Sequence, residues 1–113
     1  MDPKTIFESR LFVGDDNMSS TADYKNFILE QLDLLNNIAC KQMMGEYLLY
    51  YNGKLIGGIY DNRLLVKKTD SNQKYNMQEE VPYPGAKTMY LVKDVDDRKE
   101  LAMITIDTYE GLK

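Results

Sequence analysis

Apolar and polar positions change their period several times along this chain. Tyr24, Phe27, Ile28, Leu32 and Leu35 recur at helical spacing and line one stripe. Ser20-Thr21-Ala22-Asp23 precedes them as a capping signal, with Asp where Glu or Gln usually stands, and Asn36-Asn37 ends the helix. Residues 38–44 read as a first short strand or an irregular lead-in. Short apolar runs then meet at Asn52-Gly53 and at Asp61-Asn62. Both pairs suit a tight hairpin, whose central residues need positive φ, so the pattern predicts a three-stranded antiparallel meander.

After the meander, the polar residues 70–80 predict a short helix capped at Asp70 or Ser71. Pro82, Pro84 and Gly85 make residues 81–86 a loop or strand edge, and residues 87–92 form a strand. Asp96-Asp97 opens a last helix through about Tyr109, with Gly111 past its stop. Antiparallel neighbours with helices gathered on one face make an α+β two-layer sandwich. Residues 1–17 read as a leader or N-terminal extension of non-native character, and Met18 opens a single domain over 18–113; a short docking arm is the other reading of that segment.

Two-residue loops in both hairpins place Tyr50 opposite Leu55 and Leu49 opposite Ile56. Side chains alternate along a strand and paired residues share a face. Leu48, Tyr50, Leu55, Gly57, Ile59, Leu64 and Val66 then form the core face. The opposite face gathers Tyr47, Tyr51, Lys54, Tyr60, Arg63 and Lys67, together with Leu49, Ile56, Gly58 and Leu65. A tyrosine-rich, basic sheet face suits a partner surface, because tyrosine supplies contact area and arginine anchors well. The competing reading has the C-terminal segment covering that face, with its cations at the edge.

Charge and composition narrow the chemistry. The 113 residues carry a formal net charge of −4, which disfavours non-specific nucleic-acid binding. There is no histidine, so the commonest general base and metal ligand are both missing. One cysteine, Cys40, cannot form an intrachain disulfide, which favours a reducing cytoplasm. No apolar run approaches the length of a membrane span. Asp94, Asp96, Asp97 and Glu100 form the densest carboxylate cluster, which helix capping explains more simply than a metal. Gly57-Gly58 lacks the ending of a phosphate loop and reads as a bend or a close approach. These features predict no enzyme, no cofactor and no metal.

Met43-Met44-Gly45-Glu46-Tyr47-Leu48-Leu49-Tyr50, then Asn52-Gly53-Lys54-Leu55-Ile56 and Leu64-Leu65-Val66-Lys67, resemble the N-terminal domain of the TfoX/Sxy family. The family pattern is similar to Met-Phe-Gly-Gly-x-Gly-Leu-Tyr. Here Met44 stands at the aromatic, Glu46 at the second glycine and Leu48 at the third; Met43, Met44, Gly45, Tyr50 and Gly53 carry the motif. The resemblance implies a secretion-chaperone-like α+β domain, a cytoplasmic regulatory role linked in bacteria to competence, and a chain that stands alone without the family's C-terminal domain. The function expected is therefore a small non-enzymatic regulatory module that meets a protein partner or its own copy, as a homodimer, through the tyrosine-rich face. Single-stranded nucleic-acid binding through that face and small-molecule binding are the alternatives.

Overall fold

A computed structural model describes residues 20–113; the expectation of a leader over 1–17 lies outside the described residues. Helix α1 (Ala22–Gln31) is followed by strands β1 (Ile38–Met43), β2 (Glu46–Tyr51), β3 (Lys54–Ile59) and β4 (Leu64–Val66). A 3-10 helix (Asp70–Tyr75), β5 (Gln78–Glu80), β6 (Met89–Leu91) and helix α2 (Arg98–Leu112) complete the described chain. The strands form one antiparallel sheet in the order β1-β2-β3-β4-β6-β5. Ile28 of α1, Leu32 at its C-cap, and Leu101 and Ile104 of α2 share one core with Tyr47, Leu49, Ile59, Leu64 and Val66. This is the expected α+β sandwich, with its helices on one face of the sheet.

Three tight turns build the meander. Asn52 and Gly53 adopt φ of 50° and 79°, and Asp61 and Asn62 adopt 53° and 55°, as the turn chemistry predicts. A third turn at Met44 (φ 51°) and Gly45 (φ 86°) joins β1 to β2. It makes residues 38–43 a regular strand, which the lead-in reading left open.

The start of α1 is tied to the far ends of these hairpins. Thr21 is the N-cap, its hydroxyl accepting from Tyr24 N–H at 3.0 Å. Ser20 reaches outward instead: its hydroxyl donates to Glu46 at 2.9 Å and accepts from Asn62 N–H at 3.0 Å. Asn62 Oδ1 in turn accepts from Thr21 N–H at 2.9 Å. A second polar node lies under α2. Asn72 is fully buried; its amide donates to Lys67 O and to Thr108 Oγ1, each at 2.8 Å, and its Oδ1 accepts from Thr69 N–H at 3.0 Å. That node fixes the 3-10 helix against α2. Gly111 lies within α2 rather than past it, and its lack of a Cβ lets the helix approach Thr69, whose side chain would lie 2.5 Å from one.

One local irregularity decides which face is which. The second hairpin has the expected register, with Gly57 opposite Val66 and Ile59 opposite Leu64. In the first, Tyr50 does face Leu55, but Leu49 faces Gly57 and Tyr47 faces Ile59. Ile56 is an extra residue without an opposite number, a β-bulge, and a one-residue slip exchanges the two faces of a strand. Along β2, Tyr47, Leu49 and Tyr51 therefore turn toward the helices, and Leu48 and Tyr50 turn away. Leu55 likewise leaves the core and Ile56 enters it. The expected core face is thus corrected at Leu48, Tyr50 and Leu55, and holds at Gly57, Ile59, Leu64 and Val66.

Candidate functional site

The bulge divides the six residues that sequence spacing places on one surface. Tyr47 is only 7% exposed and lies in the core, with Lys25 Nζ 5.6 Å from its ring centre. Tyr51 meets Tyr109 edge-on at 5.2 Å, also on the helix side. Lys54 Nζ donates to the Leu112 carbonyl at 3.2 Å, at the end of α2. On the opposite side, Tyr60 is buried with its ring over Gly58, where an added Cβ would come within 2.9 Å of ring carbons. Burial, with the neighbouring Tyr83 and Glu46, raises the Tyr60 pKa above the usual phenol range. Arg63 does not reach outward: its guanidinium bonds Glu80 at 2.7 Å and the Val81 and Pro82 carbonyls at 3.2 Å each. Lys67 faces a groove. Tyr47, Tyr51 and Lys54 are thus corrected to the helix side, and the expected six-residue face does not exist as one surface.

What the sheet presents instead is apolar. Leu48, Tyr50, Leu55, Leu65, Met89 and Leu91 lie on the face turned away from the core. Leu65 is fully buried, while the other five are half-buried. Among the described residues no helix crosses this face; its cover is local, from Tyr60 and the loop that carries Tyr83, whose ring lies 6.2 Å from that of Tyr60. At one corner Met43 and Met44 project, 48% and 96% exposed, beside the Gly45 turn. Tyr50 lies on the apolar face, and Gly53 forms the turn below it.

A groove of about 740 Å³ opens at the other end of the face, between the sheet, the loop over residues 82–88 and Leu112 at the end of α2. Leu55, Tyr60, Pro82, Tyr83 and Met89 line it with Lys67, Lys68 and Lys87, and no carboxylate does. Sequence spacing missed Lys68 and Lys87, which the chain brings from beyond the meander. It also missed Leu48, Tyr50 and Leu55 by assigning them to the core. The one available signal was Gly57-Gly58, a pair that marks irregular strands.

The remaining candidates have structural uses. Asp94, Asp97 and Glu100 hold carboxylate oxygens within 4.8 Å of one another, the two aspartates exposed and Glu100 half-buried. Asp97 caps α2 by accepting from Glu100 N–H at 3.1 Å. Cys40 lies half-buried beside the core, and burial pushes its thiol pKa up against the opposing effect of Lys25. That is not the setting of an activated thiolate. No helix among the described residues is long and apolar enough to cross a membrane.

These features can be set against known proteins. The sequence model of the TfoX N-terminal domain matches residues 30–109, which span all six strands and most of α2. A protein of Spirochaeta aurantia described as an uncharacterized 12.7 kDa protein in the trpE 5′ region is 36% identical over 80 residues, covering 69% of this chain and 70% of the relative. The range matched by the family model includes the Met43–Gly45 turn, Tyr50 on the apolar face and the Gly53 turn, the positions that carried the resemblance. The chain belongs to the TfoX N-terminal domain family.

Proposed function

We propose that this chain is a small non-enzymatic regulatory module that engages a protein, an outside partner or a second copy, through the helix-free face of its sheet. One observation carries the reading: a six-stranded sheet whose helices occupy one side presents Leu48, Tyr50, Leu55, Met89 and Leu91 on the other. Apolar surface gathered in one patch is stabilised by leaving water, at roughly 25 cal/mol per Å² buried. Family membership favours a regulatory role over a catalytic one. The groove adds cations and tyrosines but no carboxylate. With Tyr47 and Tyr51 turned toward the helices and only Tyr50 turned out in exchange, the face has fewer rings on which bases could stack, which weighs against the nucleic-acid alternative.

The test is the solution mass over a dilution series, for the natural chain and for Leu48→Asp/Tyr50→Asp. A dimer that the double substitution dissociates makes the second copy the occupant. A monomer moves the question to capture of an outside partner, which the double substitution should abolish. Association or capture unchanged by both substitutions overturns the reading.

A further inference from the structure

The lysine groove at the end of the helix-free face has a charge that narrows what can enter it. The chain carries a formal net charge of −4, yet the groove gathers Lys67, Lys68 and Lys87 with no carboxylate in its lining. Lys68 is already occupied, 2.9 Å from Glu79. Among the described residues no ion pair engages Lys67 or Lys87. Between the cations lie Leu55, Met89 and Pro82, with the rings of Tyr60 and Tyr83. Its volume is about 740 Å³, and it is open to solvent.

We propose that this groove binds an acidic segment of the protein partner, with carboxylates on Lys67 and Lys87 and an apolar or aromatic side chain against Tyr60 and Tyr83. The proposal rests on the reading of the sheet face as a protein-contact surface and adds the partner's chemistry to it. A peptide fits better than a phosphate chain. No arginine lines the groove to grip phosphate in a fork, and a long polyanion meets the repulsion of an acidic protein beyond the lysines. A short acidic segment brings its charge only where the lysines are. Its attraction to these surface cations is screened by salt.

The test is fluorescence anisotropy with a fluorescein-labelled Glu-Leu-Glu-Tyr-Glu-Leu peptide, the same peptide with glutamine for glutamate, and labelled oligothymidine. The expected result is binding of the acidic peptide that weakens about tenfold with glutamine in place of glutamate, and about tenfold in Lys67→Gln/Lys87→Gln. Added salt should weaken it further. Lys87 is exposed and Lys67 half-buried, and unchanged circular dichroism checks that the variant folds. Equal affinity for the two peptides, absence of binding, or tighter binding of oligothymidine overturns the proposal; the last reassigns the groove to nucleic acid. Leu48→Asp/Tyr50→Asp separates the two claims. If association depends on Leu48 and Tyr50 while the peptide fails, the groove falls and the face stands. If association ignores them, the face falls and takes this proposal with it.

Discussion

Leu49 lies across the strand from Gly57, while its neighbour Tyr50 lies across from Leu55, so Ile56 stands between them without an opposite number. That single extra residue turns Tyr47, Leu49 and Tyr51 under the helices and leaves Leu48 and Tyr50 on the helix-free side. The bulge is what sorts these residues between the core and the helix-free face.

Gly57 makes the irregular crossing sterically feasible. A Cβ there would meet the backbone of β4, with Val66 Cα at 2.8 Å and the Leu65 carbonyl oxygen closer still. Backbone cannot step aside as a flexible side chain can. Gly57→Ala should therefore lower unfolding free energy by about 2–4 kcal/mol, read as a lower urea midpoint.

Much of this was legible in the sequence, and the failures have physical causes. Asn52-Gly53 and Asp61-Asn62 mark their turns because those residues tolerate positive φ, and both turns form as expected. Met44-Gly45 escaped because methionine rarely occupies that conformation. Strand β5 escaped because Gln78-Glu79-Glu80 is a polar edge strand with no apolar alternation to betray it. Gly111 was read as a helix stop when its small size instead lets α2 meet Thr69. The face assignment failed for a deeper reason: alternation carries the side of every residue on from a turn, so one bulge inverts all that lies between it and that strand's end. The candidate site inherited that inversion at Tyr47, Tyr51 and Lys54, and kept Tyr60 and Lys67 near the helix-free face, with Arg63 tied down by Glu80.

The buried Asn72 amide should be costly to remove. Asn72→Ala strands Thr69 N–H and Lys67 O without their partner, and leaves Thr108 with only its bond to Ile104 O. A loss of about 2–4 kcal/mol is expected in denaturant unfolding. A double-mutant cycle with Thr108→Val should return a coupling of about 1 kcal/mol.

Alkaline stability should depend on Tyr75. Partial burial, a hydrogen bond to Asp107 and the nearby negative charges of Asp107 and Glu100 push its pKa up to about 12. The folded-state value lies above the unfolded one of about 10, so the contribution is complete below about pH 10 and is lost as pH rises toward 12. Tyr75→Phe should flatten the fall in stability over that window, measured by urea midpoints at stepped pH. Asp107 has the opposite sign. Its carboxyl is held low chiefly by the Tyr75 hydroxyl and also by Lys74, so its contribution is present above the unfolded carboxyl pKa and disappears as pH falls through the folded one.

Cys40 should react slowly. With its pKa raised by burial, the thiolate fraction near neutral pH is smaller than that of a free cysteine. Alkylation of the folded chain by iodoacetamide should lag behind that of the urea-unfolded chain, and equal rates would place the thiol in open water.

The most direct measurement of the central claim is photo-crosslinking in cells that express the protein, with a benzophenone amino acid installed in place of either Tyr50 or Met103. Tyr50 lies on the helix-free sheet face, and Met103 is 52% exposed on α2. The account predicts adducts, to a partner protein or to a second copy, from position 50 and not from position 103. Adducts from position 103 alone, or from neither position, would contradict it.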